Sequence, residues 1–145
     1  MTRPTYSFDV FDTLLTRIHA TPEDVHLHLA EVLLGRGLLT DTTIFVVARR
    51  QAEHRAWRSV GYHRAIAIED IYLHLANTMA WSEGQAAQAM QHEIAIESAA
   101  VRPVASGVGQ LRRHRAAGAQ ICYVSDMHLR EHHLCPMLKG ASILD

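Results

Sequence analysis

The chain has 145 residues, of which 48% are hydrophobic, and this is enough for about one domain with one buried core. Its 14 basic and 15 acidic residues give a net charge of −1, so no overall field favours nucleic acid or an anionic membrane. No window approaches the roughly 18 successive apolar residues of a membrane span, and the amino-terminal residues lack a signal-peptide core. Cys122 and Cys135 are the two cysteines, too few for a disulfide framework. We therefore expect a cytoplasmic protein, in which Cys122 is a small buried apolar residue.

A short apolar run near the amino terminus ends in acidic and hydroxyl residues. Its strand-forming residues lie within positions 6–11, while Asp9, Asp12 and Thr13 are of the types that favour turns and end strands. In an open α/β fold, a strand of this kind carries its last polar residues to the edge of the sheet where ligands bind. We therefore expect a functional carboxylate at this strand end.

The residues between 21 and 100 predict four helices and no strand. The first helix should have Thr21 as its N-cap and Pro22 as its first helical residue. The others are expected at about 44–60, at about 68–77, and from a capping box at Ser82 and Gln85 to about residue 100.

The second of these helices should be amphipathic. Its apolar positions include Phe45, Ala48, Ala52 and Trp57. The opposite face carries Arg49, Arg50, Glu53, Arg55 and Arg58.

A second strand that ends in polar residues lies far down the chain. A helix predicted at 106–117 precedes a strand at 121–124, which is followed by Ser125 and Asp126. A last helix is predicted at about 129–139. Because parallel strands present their carboxyl ends at the same edge of a sheet, we expect the two polar strand ends to lie together.

Two segments carry a family resemblance. They are Phe8-Asp-Val-Phe-Asp-Thr-Leu-Leu-Thr-Arg17 and Tyr123-Val-Ser-Asp-Met127. The first resembles motif I of the haloacid dehalogenase (HAD) superfamily, Asp-x-x-x-Thr after a hydrophobic strand, and the second resembles its motif II. The resemblance implies an α/β fold, a partial Rossmann-like core of parallel strands with an inserted all-helical cap. Residues 1–18 and 102–145 would form the incomplete core, and residues 19–101 the cap that selects substrate.

The resemblance also implies roles for four residues. Asp9 would be the nucleophile that forms a covalent ester. Thr13 would complete the catalytic set by shaping the motif I loop. Ser125 would stabilise charge that develops in the transition state, and Ser125 and Asp126 would contact the substrate.

Asp12 is an alternative nucleophile, because it also fits Asp-x-x-x-Thr with Thr16 as its partner. Asp9 is preferred, since Thr13 then falls where the superfamily has its Thr-Leu pair. Either aspartate could instead only cap a turn, as could Asp126, and Ser125 could serve as a helix N-cap.

Phe11 departs from the phosphatases of the superfamily, which place a second aspartate there as acid and base. An apolar side chain cannot transfer a proton, and haloacid dehalogenases carry an aromatic residue there because halide leaves unprotonated. The resemblance implies Mg²⁺, held here by the Asp9 carboxylate and the Phe11 carbonyl. The lysine of motif III and the acidic pair of motif IV have no counterpart, and Lys139 lies too close to motif II. The chain is therefore expected to be a fragment or a truncated member.

Three functions follow as hypotheses. The first is a HAD-like hydrolase of a small phosphorylated substrate that uses Asp9 and Mg²⁺. The second is a catalytically incompetent HAD-like module that binds a partner or ligand, and the third is a dehalogenase. We expect a small-molecule substrate and neither nucleic acid nor membrane as a partner. Homodimerisation is a further hypothesis, because a core of two or three strands leaves an unpaired edge.

Two polar clusters are weaker signals. His128 and His132 would share a helix face near Glu131 and His133, which invites metal binding, although a solvated helix face is the preferred interpretation. A basic run at 112–115 is expected on a solvent-facing helix surface.

Overall fold

The computed structural model describes residues 3–21 and 23–144. They form two compact units. The α/β unit comprises the residues up to Ile18, Val101–Asp126 and those from Glu131 onward. The helical unit comprises His19–Ala100 together with Met127–Arg130.

The secondary structure consists of four strands and six helices in the described residues. In chain order they are β1 (Thr5–Asp9), β2 (Leu15–Arg17), α1 (Asp24–Gly35), α2 (Thr42–Ser59), α3 (Ile68–Met79), α4 (Glu83–Ala100), β3 (Val101–Pro103), α5 (Ala105–Ala116), β4 (Gln120–Val124) and α6 (Glu131–Gly140). The predicted α/β class is therefore confirmed. None of these helices combines the length and the hydropathy that a membrane span requires.

The strands of the α/β unit form two small sheets. Strands β1 and β4 are parallel, as predicted, in a register that places Asp9 opposite Val124. Strands β2 and β3 are antiparallel, with Leu15 opposite Pro103. This second sheet was not predicted, because three residues are too few to show an alternating pattern and Pro103 indicates a break rather than a strand.

The core of the α/β unit comes from both ends of its sequence. Its buried apolar residues include Phe8, Val10, Leu14, Leu15, Val108, Leu111, Met137, Leu138 and Ile143. Strand β4 is less covered than a parallel strand usually is, since its outward residues alternate with partly buried ones. Cys122 is one of the exposed residues, so its predicted burial is wrong.

The helical unit contains four helices and no strand in its described residues, as predicted. Helix α1 packs against α2 and α4, and α3 packs against the same two helices. The capping box before α4 is confirmed, because Ser82 N–H donates to Gln85 Oε1 at 2.9 Å and Gln85 N–H donates to Ser82 Oγ at 3.3 Å. These bonds satisfy donors that the first turn of a helix leaves without intrahelical partners.

Helix α1 begins later than predicted. Its first residue is Asp24, so Thr21 is not the N-cap. Instead the Asp24 carboxylate folds back and accepts a 2.8 Å hydrogen bond from the Thr21 backbone N–H. Pro22 lies outside the described residues.

Helix α6 also begins later than predicted, at Glu131. His128 therefore precedes the helix and does not share a helical face with His132. The shared helix face on which the metal-binding interpretation depended is therefore absent.

Candidate functional site

The strand ends of the parallel sheet place the predicted motif residues at one edge. Asp9 is the last residue of β1 and is exposed. Ser125 directly follows Val124, the β4 residue opposite Asp9, and is half-buried. Asp126 is exposed one residue further on. The register thus brings the polar ends of both motifs to adjacent strand ends, as the sequence indicated.

The loop after Asp9 is a tight turn closed on one carbonyl. Leu14 N–H and Leu15 N–H both donate to the Val10 carbonyl, at 3.1 and 2.8 Å. Asp12 lies at the outside of this turn with φ of 61°. Aspartate is one of the few residues that tolerate this left-handed conformation, because its short side chain can hydrogen-bond locally. The geometry gives Asp12 a clear turn-forming role, whereas Asp9 has extended strand geometry.

Thr13 lies against the first turn of α5 with no side chain between them. A Cβ atom at Gly107 would overlap the Thr13 carbonyl oxygen. Next to this contact, Val104 N–H donates to the Leu14 carbonyl at 2.8 Å. Only glycine allows this approach, so the conformation of the motif I loop is tied to α5.

Phe11 is buried, with 5% of its surface exposed. The guanidinium carbon of Arg17 lies 4.3 Å from the centre of its ring, a cation–π arrangement. The side chain at this position is therefore fixed and apolar. Neither the Phe11 carbonyl nor the Asp9 carboxylate takes part in a hydrogen bond within the described residues, so both oxygens are available to a cation.

The basic run on α5 does not simply face solvent, contrary to prediction. Arg115 donates to the Tyr123 hydroxyl at 2.7 Å and to the Ile143 carbonyl at 2.9 Å. The His114 ring stacks on Tyr6, with ring centres 3.7 Å apart. These contacts tie α5 to both parallel strands and to the segment after α6.

The helical unit contains a buried ionic cluster that sequence reasoning missed. Arg49 was predicted to lie on the face opposite the apolar positions of its helix, but it is fully buried. It donates two hydrogen bonds to the Glu93 carboxylate, at 3.0 and 2.7 Å, and one to Glu53 at 2.9 Å. The Tyr72 hydroxyl also donates to Glu93, at 2.7 Å, and its acceptor Oε2 is the oxygen that accepts from Arg49 Nε. A two-pronged pairing of this kind is the strongest that a protein offers a carboxylate.

Burial and charge together perturb the ionisation of this cluster. Burial alone would raise the pKa of Glu93, but the charge of Arg49 and the hydrogen bonds hold it well below its usual value. Burial, and then the charge of Arg49, lower the pKa of His26 from 6.5 to about 4. His128 lies beside the same carboxylate, with its Nε2 atom 3.7 Å from Glu93 Oε1. At neutral pH the cluster thus holds an ionised pair beside a neutral His26.

The role of this cluster is structural, because Arg49 and Glu93 have no exposed surface through which a ligand could reach them. A signal for it exists in the sequence. Arg49 is four residues after Phe45 and three before Ala52, so it occupies an apolar position of α2. A charge at such a position requires a buried partner from another helix.

No family model matches the chain, and no curated protein matches its sequence. One similar solved structure is described as "Crystal Structure analysis of a Dehalogenase". The match covers 99% of this chain and 60% of the other, with a TM-score of 0.47 and 16% sequence identity. The chain thus spans less than two thirds of that dehalogenase, and the function proposed below rests on this chain's own residues.

Proposed function

We propose that the chain is a HAD-like hydrolase that acts on a small phosphorylated substrate, with Asp9 as its nucleophile. The observation that carries the proposal is the pairing of β1 with β4, which puts Asp9 and Ser125 at adjacent strand ends. The exposure of Asp9 supports the same role, because an attacking carboxylate has to reach its substrate without first losing buried partners.

The chemistry has two displacements. The Asp9 carboxylate attacks phosphorus and forms an aspartyl phosphate, while the substrate oxygen leaves with the bonding electrons. Water then attacks the aspartyl phosphate, which releases inorganic phosphate and restores the carboxylate. The Ser125 hydroxyl would donate a hydrogen bond to a phosphoryl oxygen as charge grows on it, and Asp126 would contact the substrate.

Mg²⁺ is the proposed cofactor. The Asp9 carboxylate and the Phe11 carbonyl are oxygen donors of the kind that Mg²⁺ prefers, and both lack hydrogen bonds within the described residues. They would supply two of its six positions. A bound cation would neutralise charge on the nucleophile and the phosphoryl group.

Phe11 favours a second candidate. Its buried ring under Arg17 cannot protonate a leaving group, so an alkoxide would leave slowly. A module that binds a ligand or partner without hydrolysing it, or hydrolysis of a carbon–halogen bond, would need no acid at this position. A phosphate ester whose leaving group needs no proton therefore separates hydrolysis by Asp9 from these candidates.

The deciding experiment is Mg²⁺-dependent hydrolysis of 4-nitrophenyl phosphate, because nitrophenolate leaves without protonation. We expect turnover that Asp9→Asn reduces to background and that Ser125→Ala reduces by roughly 10²–10³-fold. Asp12→Asn is the matched control, since asparagine tolerates the same backbone conformation and should leave most activity intact. Equal activity in the wild type and Asp9→Asn would contradict the proposal. Loss in Asp12→Asn alone would move the nucleophile to Asp12.

The proposal also includes a reducing, cytoplasmic location and self-association. Both outer edges of the β1–β4 sheet are unpaired among the described residues, and open edges favour pairing with another strand. Sedimentation at micromolar concentration should give a dimer. A monomer at all concentrations would remove this part of the proposal.

A further inference from the structure

The helical unit contains an apolar groove that the proposed hydrolase chemistry does not use. It lies between α3 and α4 and has a volume of about 380 Å³. This is within the range of roughly 300–1,000 Å³ that is usual for small-molecule sites. We infer that the groove binds a small organic cation with an aromatic or branched apolar body.

The apolar walls of the groove come from side chains that usually avoid water. Leu73 is 66% exposed although it is on a helix that buries its neighbours Ile71 and Leu75 completely. Met90 and Trp81 contribute the opposite side. Methionine and tryptophan adapt to apolar ligands and present large polarizable surfaces to them. These walls fit an apolar body.

The aromatic side of the groove is held in place before any ligand arrives. The Trp81 indole N–H donates to the Leu38 carbonyl at 3.2 Å, and its ring centre is 6.1 Å from that of Phe45. The Tyr72 hydroxyl is engaged by Glu93, so this residue offers the groove only ring surface. A fixed aromatic surface costs little entropy on binding and can attract a cation.

The charge of the groove has one sign. Glu69 and Glu83 are its two acidic side chains, and no lysine, arginine or histidine among the described residues lines it. The Glu83 carboxylate has no hydrogen bond or ion pair within the described residues. Glu69 pairs with Arg130 at 3.1 Å, but both side chains are largely exposed, so water and a competing cation can displace this pair.

These features select the ligand class by both attraction and exclusion. An ammonium group beside Glu83 gains a charge partner while its apolar body covers Leu73, Met90 and Trp81. A carboxylate or phosphate of the same size would be placed beside the Glu83 carboxylate, and no cationic side chain lines the groove among the described residues. The groove therefore distinguishes an amine from its neutral and anionic counterparts.

Amide NMR of the ¹⁵N-labelled chain tests the inference with three probes of similar shape. They are phenethylamine, 2-phenylethanol and 3-phenylpropionate. We expect saturable shifts in α3 and α4 with the amine, binding of the alcohol weaker by roughly two- to fivefold, and no saturable shifts with the anion. Equal binding of all three probes, or no saturation with any of them, would overturn the inference.

Matched variants locate the site. Ala87→Trp fills the groove and should abolish the amine-induced shifts, whereas Gln88→Trp, at the next exposed position, should not. Glu83→Gln should reduce the preference for amine over alcohol, whereas Glu31→Gln on the exposed face of α1 should preserve it. Binding that survives Ala87→Trp, or an unchanged preference in Glu83→Gln, would place the cation elsewhere and overturn the inference.

Discussion

Asp9 and Glu93 are carboxylates in opposite surroundings. Asp9 ends a strand in the α/β unit, is exposed, and has no hydrogen-bond partner within the described residues. Glu93 is fully buried in the helical unit, where Arg49 and Tyr72 both donate to it. The first carboxylate has no protein donor on its lone pairs within the described residues, while the second has its lone pairs occupied by structural partners. The fold therefore leaves one carboxylate open to solvent and uses the other to connect three helices.

The largest expected effect comes from removing the buried carboxylate. Glu93→Ala leaves Arg49 buried without its partner, and we expect a loss of about 3–5 kcal/mol in the free energy of unfolding. Urea denaturation followed by circular dichroism measures this. The double variant Arg49→Met/Glu93→Leu removes both charges and should recover most of the loss. If the double variant were as unstable as Glu93→Ala, the cost would come from packing rather than from an unpaired charge.

A pH change should affect the helical unit through His26. Its pKa is lowered from 6.5 to about 4, so between these pH values the unfolded chain binds a proton that the folded chain does not. The free energy of unfolding therefore falls as the pH falls from about 6.5 to about 4, by roughly 3 kcal/mol. The pKa of Glu93 is well below its usual value, so its contribution is lost only at lower pH.

Denaturation across this pH range, compared between variants, isolates the His26 contribution. His26→Gln should flatten the pH dependence, because glutamine does not titrate. His28→Gln is the matched control, since His28 is exposed on the same helix. An unchanged slope in His26→Gln would show that other groups cause the acid sensitivity.

The contact between Gly107 and Thr13 should be the most sensitive backbone position of the α/β unit. Gly107→Ala forces a shift against the Thr13 carbonyl, and we expect a loss of about 1–3 kcal/mol. A Cβ at Gly109, on the same helix, would meet only the end of the Arg113 side chain, at an ordinary contact distance of 3.8 Å, so Gly109→Ala should stabilise by about 0.5–1 kcal/mol. Thermal unfolding of both variants is the measurement. Equal effects would mean that α5 can move away from the loop at little cost.

The smallest effect is expected at Asp9 itself. Asp9→Asn removes an exposed charge without structural partners, so the free energy of unfolding should change by less than about 0.5 kcal/mol. The same denaturation experiment measures it. A loss in the free energy of unfolding as large as that of Glu93→Ala would show that Asp9 has a structural role, and the two carboxylates would then not differ in this respect.

Local patterns predicted much of this fold. The four helices follow from apolar residues at helical spacing, and the Ser82 capping box follows from two side chains three residues apart. The parallel pairing of β1 with β4 follows from two similar strand endings. Each of these signals is contained in a few neighbouring residues, which is why it can be read from the sequence.

The features that were missed depend on distant residues. Arginine is rarely buried, and the burial of Arg49 depends on Glu93, which is 44 positions away in the sequence. The exposure of Cys122 depends on how much of β4 the rest of the unit covers. The late start of α1 is a local exception, because the side-chain hydrogen bond at this end of the helix comes from the Asp24 carboxylate and not from Thr21.

The glycine contact between α5 and the motif I loop has a mechanical consequence. Because no side chain lies between Gly107 and Thr13, a tilt of α5 directly displaces the backbone of Thr13. Arg115 and His114 attach the other end of the same helix to Tyr123 and Tyr6. Helix α5 therefore connects the two contacts as one rigid element. A ligand or substitution that moves the carboxyl end of α5 should also move the loop after Asp9, although it does not contact that loop.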